Sequence, residues 1–329
     1  MNYKAAIVGV IISVVCMLII FETTKSEITW SAIKNANPLY VILAVIAQFF
    51  FWIFWALRIK FIVKNLGYFV SFKDSLRITI SGMFAAAITP SSAGGEPVRA
   101  KMLNDFGVNT GEAAFVVLAE RMLDAIFFSF ALPVFAIFTG FSLKLGMQIT
   151  LVFVVAILVF LGILYLILKD ENSISKAAKF IENFLGRVSK RAEYWSFKFQ
   201  ENMCRFRSAV PRITRRKKDL SFLIFLTAVI WSIEFSIPSI LLLAFSSDPY
   251  FLYSYTAQLI ITIVSLLPLT PGSSGIAETS MAYLYSAFIH SGLLGITVAI
   301  WRIITYHMNL VFGLLVFNYS ILSKNLKKK

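Results

Sequence analysis

Blocks of apolar residues, each long enough to cross a lipid bilayer, constrain this chain more than any other feature of its sequence. A transmembrane helix needs about 20 predominantly apolar residues, and 58% of the 329 residues are hydrophobic while only 15% are charged. Soluble domains carry about 25% charged residues. The sequence therefore predicts an all-α fold, a polytopic membrane helical bundle, and excludes a soluble domain. The predicted spans are 5–21, 39–57, 112–139, 146–168, 220–245 and 292–320.

Two further apolar stretches, 78–89 and 254–269, are shorter, and each runs into a cluster of Pro, Gly and Ser. The first cluster reads TPSSAGGE and the second reads TPGSSGIAE. Each is followed by another short helical stretch, at 97–105 and 276–289. Non-helical backbone occurs at membrane depth only where it is buried in protein or lines a wet cavity. We therefore predict two broken, re-entrant helical hairpins.

The charges of the loops predict the orientation of the chain in a cell membrane. Segment 169–219 carries 14 Lys and Arg against 6 Asp and Glu, and segment 58–77, beginning with Arg58, carries five basic residues against one acid. By the positive-inside rule, these segments and both termini are cytoplasmic. We predict one integral membrane domain over residues 1–329. The net charge of +14 is then mostly a topology signal, and nucleic acid is not an expected partner.

Segment 170–219 is basic and amphipathic. Apolar residues recur at helical spacing from Ile174 to Val188 and again from Trp195 to Val210, and basic residues fill the opposite face. Two interpretations stay open. Such helices lie at the headgroup level of anionic membranes, or they form a cytoplasmic hairpin that packs on the bundle.

An internal repeat relates the two hairpins. From Pro90 the next intramembrane arginine, Arg121, is 31 residues away, and from Pro271 the distance to Arg302 is also 31 residues. We predict one repeat around 39–140 and a second around 220–320, separated by an odd number of crossings, which makes the repeat inverted. Paired, interrupted apolar segments in corresponding halves indicate a transporter binding site near the bilayer midplane.

The residues at the two breaks are candidate substrate-binding groups. Free helix N-termini present unpaired N–H groups and the positive end of the helix dipole, which suits an anion such as phosphate. The alternative is that the small residues serve only close helix packing. The candidate set is Thr89, Pro90, Ser91, Ser92, Gly94, Gly95 and Glu96 at the first break, and Thr270, Pro271, Ser273, Ser274 and Glu278 at the second.

Charged residues within the predicted spans form a second set of candidates: Glu120, Arg121, Asp124, Glu234 and Arg302. A charge at the centre of a membrane helix costs about 2.5–3.5 kcal/mol on insertion scales, so none should face lipid. In the functional interpretation, Arg121 and Arg302 bind an anionic headgroup while the acids orient them or relay a coupling proton. In the alternative, buried ion pairs only fix the bundle.

Other kinds of chemistry have little support in the sequence. Cys16 lies in a predicted span and Cys204 in a basic loop, so nothing suggests a disulfide or a cysteine-based metal site, and two histidines are too few and too far apart for a metal cluster. No P-loop, G-x-S-x-G or H-E-x-x-H pattern occurs. We therefore predict no cofactor, no metal and no catalytic residue. The aromatic residues between Phe49 and Trp55 are predicted to face lipid or the interface.

The TPSSAGGEP run, the Glu120-Arg121-x-x-Asp124 helix and the TPGSSG…E run resemble the flippase-like transmembrane domain of lysylphosphatidylglycerol synthases, over nearly the whole chain. In the two-part synthases this domain moves an aminoacylated lipid between leaflets, and a separate soluble domain makes that lipid. The chain ends at Lys329 with no room for that second domain, so the resemblance implies translocation rather than synthesis. Some archaeal relatives join this domain to a dolichol-phosphate glycosyltransferase, so a polyprenyl-linked headgroup is an equal candidate for the cargo.

Three functional hypotheses follow. A flippase for a phosphate-bearing membrane lipid predicts a polar cavity near the midplane, lined by both hairpins and both arginines. A membrane-embedded partner of a separate lipid-modifying synthase or glycosyltransferase predicts co-purification and little transport by the chain alone. An intramembrane enzyme would use the Glu and Asp side chains as acid and base. The lipid, the driving force and the oligomeric state stay open.

Overall fold

The computed structural model describes residues 3–90, 93–140, 143–186, 192–267 and 270–327, so the predicted site residues Ser91 and Ser92 lie outside the described residues. Within them the chain forms fourteen α-helices and one π-helical turn, Ile303–His307. The helices are α1 (Tyr3–Thr24), α2 (Glu27–Lys34), α3 (Pro38–Asn65), α4 (Phe72–Ala87), α5 (Gly95–Asp105), α6 (Thr110–Thr139), α7 (Leu143–Leu168), α8 (Glu171–Gly186), α9 (Ala192–Thr214), α10 (Lys217–Ala244), α11 (Phe251–Val264), α12 (Ile276–Tyr285), α13 (Ser291–Arg302) and α14 (Met308–Lys327).

The long apolar helices confirm the predicted fold class, an all-α polytopic membrane bundle. Among the described residues, five helical segments are long and apolar enough to cross a membrane: Ile7–Thr24, Pro38–Asn65, Thr110–Thr139, Lys217–Ala244 and Ser291–Tyr319. The predicted span 146–168 falls in α7, a helix of 26 residues that contains the apolar stretch Gly146–Gly162. The last span is continuous in space but changes to π geometry directly after Arg302.

Both predicted breaks interrupt helices. α4 ends at Ala87 and α5 begins at Gly95, while α11 ends at Val264 and α12 begins at Ile276. The backbone of the second break turns through left-handed conformations at Gly272 (φ +56°) and Gly275 (φ +87°). Glycine adopts these angles without the steric cost of a Cβ. The Pro and Gly residues of each cluster therefore end one helix and allow the next to start in a new direction.

The two breaks lie against each other. Pro90 and Pro271 form an isolated antiparallel β-bridge, and the Gly272 N–H donates to the Thr89 carbonyl at 3.1 Å. A Cβ on Gly272 would lie 2.5 Å from the Ala87 carbonyl oxygen, so the approach requires glycine. The two Thr-Pro motifs that suggested an internal repeat are thus direct neighbours.

Contacts between helices correspond in the two predicted repeats. The first helices of the two repeats, α3 and α10, pack on each other. The contact of α4 with α14 corresponds to the contact of α11 with α6. In the first predicted repeat α4 contacts α3 and α5. In the second, α11 contacts the corresponding helices, α10 and α12. Exchange of the two halves therefore maps these helix pairs onto each other. The pattern agrees with a two-fold relation, and the inverted orientation of the repeats stays a prediction.

The amphipathic segment forms a helical hairpin, α8 and α9, in which α9 packs on α6. Phe206 and Ile213 of α9 belong to the main core. Arg212 donates to Glu112 of α6 at 2.8 Å, and Glu112 also accepts a hydrogen bond from Tyr68 that raises the pKa of that phenol. These contacts support the interpretation of a hairpin packed on the bundle. Its outer face leaves four aromatic side chains exposed, namely Phe180, Tyr194, Trp195 and Phe197.

The aromatic run of α3 corrects a prediction. Phe51, Trp52 and Trp55 are buried, whereas the sequence interpretation placed the run against lipid or at the interface. Only Phe49 and Phe50 are exposed. The reason is that α3 packs along α10 and turns the face with Phe51 and Trp55 toward Trp231. Hydrophobicity alone does not distinguish this face from the lipid-facing one, because lipid tails are as apolar as the protein core.

Candidate functional site

The charged residues of α6 form a buried ion-pair network with side chains from α3 and α10. Arg58 donates to Asp124 (Nη1 to Oδ1, 2.6 Å) and its Nη2 lies 3.4 Å from Glu120 Oε1. Arg58 also donates to Thr227 Oγ1 at 3.0 Å, while the Trp231 indole N–H donates to Asp124 at 2.9 Å. The pairing offsets the high cost of burying charge inside a bundle of membrane-spanning helices.

Arg58 corrects the sequence analysis, which ended the second span at residue 57 and counted this arginine among the loop charges. α3 continues to Asn65, and Arg58 is completely buried. A sequence signal did exist. Ile59, Ile62 and Val63 continue the apolar spacing beyond the charge, and all three are buried. An arginine with apolar residues at helical spacing on both sides is therefore a candidate intramembrane charge.

Arg121 and Arg99 extend the network to the first break. Arg121 Nε lies 3.4 Å from Glu96 Oε1, and its Nη1 lies 3.5 Å from Asp124 Oδ2. Arg99, on α5, lies 3.5 Å from Glu96 and 3.9 Å from Glu120. The predicted pairing of Arg121 with Asp124 is present. Sequence reasoning missed Arg99, because it stands in a short polar stretch that has no transmembrane pattern.

The Trp55 ring lies within reach of all three guanidinium groups of this network. Its centroid is 4.8 Å from the Arg58 guanidinium carbon, 5.3 Å from that of Arg99 and 5.4 Å from that of Arg121. Arginine is attracted to the electron-rich face of an indole, more strongly where water is excluded. Trp55 is buried, so it helps to hold three like charges close together.

The second break has a simpler ion pair. Arg302 Nε donates to Glu278 Oε1 at 2.9 Å. The same oxygen accepts from Ser13 of α1 at 2.5 Å, and the other accepts from the Gly275 N–H at 2.7 Å. The Tyr306 ring lies 4.3 Å from the Arg302 guanidinium. Because Glu278 caps the first turn of α12, the chain itself supplies an anion to that helix N-terminus.

The two matched arginines thus have the same kind of partner. Arg121 pairs with Glu96 and Arg302 with Glu278, and each glutamate belongs to the break of the same predicted repeat. The equal 31-residue spacing in the sequence corresponds to an equivalent contact in space. This supports the part of the interpretation in which the acids orient the arginines.

A cavity of about 620 Å³ lies between the two breaks. Both arginines, Arg121 and Arg302, line it, and so do Gly95 and Glu96 of the first break and Ser273 of the second. Its remaining wall is largely aromatic and aliphatic, from α3, α6, α7 and α10. Ligand sites typically combine such an apolar wall with a few converging polar groups. The lipid-transport hypothesis predicted that both breaks and both arginines line one cavity, as they do here, but it predicted a polar cavity, whereas most of this wall is apolar.

Glu234 of α10 also lines the cavity, as does Asp124. Among the described residues, Glu234 Oε2 is buried without a hydrogen-bond partner. Asp124, by contrast, contacts Arg58, Arg121 and Trp231. A buried carboxyl group without a partner is costly when ionised. Glu234 is therefore the acid of this cavity that no neighbouring cation compensates.

Several predicted residues of the breaks have structural contacts instead of a place on the cavity wall. Thr89 Oγ1 donates to the Ala85 carbonyl and accepts from the Gly94 N–H, both at 2.8 Å. Thr270 donates to the Ser274 carbonyl at 2.7 Å. These bonds fix the turns, so both threonines shape the breaks. Outside the described cavity wall lie Thr89, Pro90, Gly94, Glu120, Thr270, Pro271, Ser274 and Glu278.

Comparison with known proteins gives consistent results. The family model described as "Lysylphosphatidylglycerol synthase TM region" matches residues 6–313. A UPF0104 membrane protein of Archaeoglobus fulgidus is 51% identical over 323 residues, covering 98% of each chain. A UPF0104 membrane protein of Methanothermobacter thermautotrophicus is 26% identical over the full length of both chains. A third, from Methanocaldococcus jannaschii, is 29% identical over 85% of this chain and 84% of its own. The chain therefore belongs to the family of the lysylphosphatidylglycerol synthase transmembrane region.

Proposed function

We propose that this protein moves a phosphate-bearing, anionic lipid between the two leaflets of the cell membrane. The observation that carries this proposal is the cavity between the two helix breaks, which Arg121 and Arg302 both line. Guanidinium groups match the geometry of phosphate oxygens, and the apolar remainder of the wall suits the proximal part of a lipid. Membrane lipids are the expected partners, and translocation needs no catalytic residue.

Arg121 has the geometry of a group that exchanges partners. Its ion pairs, at 3.4 and 3.5 Å, are longer than the 2.7–2.9 Å of optimal charge-assisted hydrogen bonds. Its side chain keeps 33% of its accessible surface. A phosphate in the cavity would offer it shorter contacts, while Glu96 and Asp124 hold it in place between substrates.

The symmetric packing of the helices suggests how the cavity opens to each side. If the two repeats are inverted, equivalent helices face opposite leaflets, and rocking of one repeat against the other gives alternating access. We place both termini and the α8–α9 hairpin on the cytoplasmic side, from the charge asymmetry of the loops. The contact between Pro90 and Pro271 would then lie near the axis of that motion.

Reconstitution in liposomes tests the proposal. Fluorescent phosphatidylglycerol placed in one leaflet is followed by quenching from outside, and the neutral lipid diacylglycerol serves as the comparison cargo. Replacement of Arg121 by Gln removes a charge-assisted contact of roughly 1.5–3 kcal/mol, so we expect about a 10- to 100-fold weaker apparent affinity for the lipid. Lys should give an intermediate loss, because it keeps the charge without the planar fork.

Arg205→Gln is the matched control, because Arg205 pairs with Glu201 on the exposed face of α9. The proposal is wrong if Arg121→Gln inserts, folds and transports at the rate of this control, or if diacylglycerol competes as well as phosphatidylglycerol. Absence of transport by the pure chain, with transport restored by a co-purifying synthase or glycosyltransferase, would instead support the alternative role as a partner subunit.

A further inference from the structure

A second hollow, of about 370 Å³, lies between the first turns of α4 and the middle of α14. We name it the α4–α14 groove. It has an apolar wall and a polar rim. The wall includes Leu76, Ile80 and Leu315, and the rim consists of Lys73, Arg77 and Tyr319.

The rim of the groove carries a net positive charge. Arg77 pairs with Asp74 at 3.0 Å, and its guanidinium lies 5.1 Å from the Tyr319 ring, so the side chain is held over the groove. Lys73 is exposed and has no ion pair among the described residues. One turn apart on α4, Lys73 and Arg77 share a face. Two cations and one acid leave one positive charge without a partner.

The position of the groove defines what can occupy it. Its rim stands at the N-terminal end of α4, and Lys73 and Arg77 belong to the basic segment 58–77, which is predicted to be cytoplasmic. Its wall runs along membrane-spanning α14, where Leu315 is 63% exposed and therefore faces lipid. A basic rim above an apolar, lipid-facing wall is complementary to an amphiphile with an anionic head. A free phosphate would leave the wall unused.

The groove and the central cavity follow one seam between the same two helices. α4 contributes residues up to Ile80 to the groove, and Met83 and Ala87 to the cavity. Between these residues along α4, Phe84 belongs to a buried apolar cluster with Ala87, Ile88, Tyr306 and Leu310, and its ring lies 5.8 Å from that of Phe317. Phe84 also packs against Gly313, where any Cβ would clash with it. The seam is therefore closed by this apolar cluster, which has to part before lipid can pass.

We propose that the α4–α14 groove binds an anionic phospholipid from the leaflet at the basic end of the bundle. Its phosphate contacts Lys73 and Arg77, and its acyl chains lie along Leu76, Ile80 and Leu315. The groove is also the loading site from which lipid passes along the seam to the central cavity. This second statement rests on the proposed function, whereas the binding statement does not.

Native mass spectrometry of the protein with phosphatidylglycerol or phosphatidylcholine tests the binding statement. The double variant Lys73→Gln/Arg77→Gln is compared with Lys60→Gln/Lys64→Gln, which removes two basic residues at the same spacing near the end of α3. We expect a loss of about 10- to 30-fold in phosphatidylglycerol binding for the groove variant, from two phosphate contacts. The control should bind as the parent does, and phosphatidylcholine should bind weakly throughout.

A further variant, Leu315→Trp, fills the apolar wall without changing charge, and it should also weaken phosphatidylglycerol binding. Equal binding by both glutamine variants, or equal binding of the two lipids to the parent, would overturn the binding statement.

Transport by the same variants tests the loading statement separately. Slower transport by the groove variant at low but not at saturating phosphatidylglycerol supports it. Unchanged transport at every lipid fraction, together with lost binding, overturns the loading role alone. If the parent chain moves no lipid, the proposed function and the loading role fail together, and the binding result still decides the groove.

Discussion

Removal of the Arg58 charge should destabilise the bundle more than any exposed charge change. Arg58→Met keeps most of the apolar volume but leaves Asp124 and Glu120 without their nearest cation. Loss of one partner of a buried ion pair typically costs about 3–5 kcal/mol. We expect about 3 kcal/mol, because Asp124 keeps its contacts with Arg121 and Trp231.

The thermal unfolding midpoint in detergent measures this effect, with intrinsic tryptophan fluorescence as the signal. A loss of about 3 kcal/mol corresponds to a midpoint lower by roughly 6–12 °C, at about 2–4 °C per kcal/mol for a large domain. Arg205→Met is the control. The Arg205–Glu201 pair, at 3.1 Å, is exposed by 47% and 44%, and such pairs contribute about 0–1 kcal/mol.

A rescue experiment separates lost charge compensation from lost packing. If the cost comes from two uncompensated carboxylates, adding Glu120→Gln and Asp124→Asn to Arg58→Met should recover at least half of the lost midpoint. A midpoint for Arg58→Met equal to that of the control would refute the reasoning. It would mean that Glu120 and Asp124 are stabilised by water or by protonation of their carboxyl groups, and not by Arg58.

Three further outcomes are expected. Glu234→Gln should keep or raise the thermal midpoint, because it removes a carboxyl group whose Oε2 has no partner among the described residues; a clear drop would indicate a hidden partner. Gly111→Ala should loosen α9 from α6 and lower the midpoint, because a Cβ there would overlap the Asn202 backbone, whereas Gly162→Ala in open space should not. Lys198→Cys, in a background variant without Cys16 and Cys204, should react with an impermeant maleimide in inside-out vesicles but not in intact cells. The opposite result would reverse the predicted topology.

The sequence was sufficient to predict the kind of fold and the approximate positions of the long apolar helices, because hydrophobic length is a nearly direct measure of membrane crossing. It was also sufficient to locate the two breaks, since Pro and Gly clusters have few other uses inside apolar segments. Helix ends were less accurate. The first charge after residue 57 was taken as the end of a span, yet α3 continues through Arg58 for two more turns.

The partners of the site residues were harder to predict than the residues themselves. Spacing along one helix indicated the pairing of Arg121 with Asp124, because residues three apart share a helix face. Arg58 is 62 residues from Glu120, and Ser13 is 265 residues from Glu278. Such contacts depend on which helices pack together, and hydropathy carries no information about that. For the same reason the burial of Trp55 was not predicted, since the aromatic run alone suggested a position against lipid or at the interface.

The two matched arginines differ in a way that predicts different phenotypes. Arg302 is 7% exposed, and its Nε contacts Glu278 at 2.9 Å, while Glu278 is itself fixed by Ser13 and the Gly275 N–H. Arg121 is 33% exposed and makes only longer contacts.

Arg302→Gln should therefore mainly lower the thermal midpoint, since it leaves Glu278 buried without its cation, a loss of about 3–5 kcal/mol. Arg121→Gln should mainly weaken lipid transport and change the midpoint little. Thermal unfolding and the liposome assay on both variants test this division. Equal effects of the two variants in both measurements would show that the symmetric sequence spacing, and not the different local environment, determines what each arginine does.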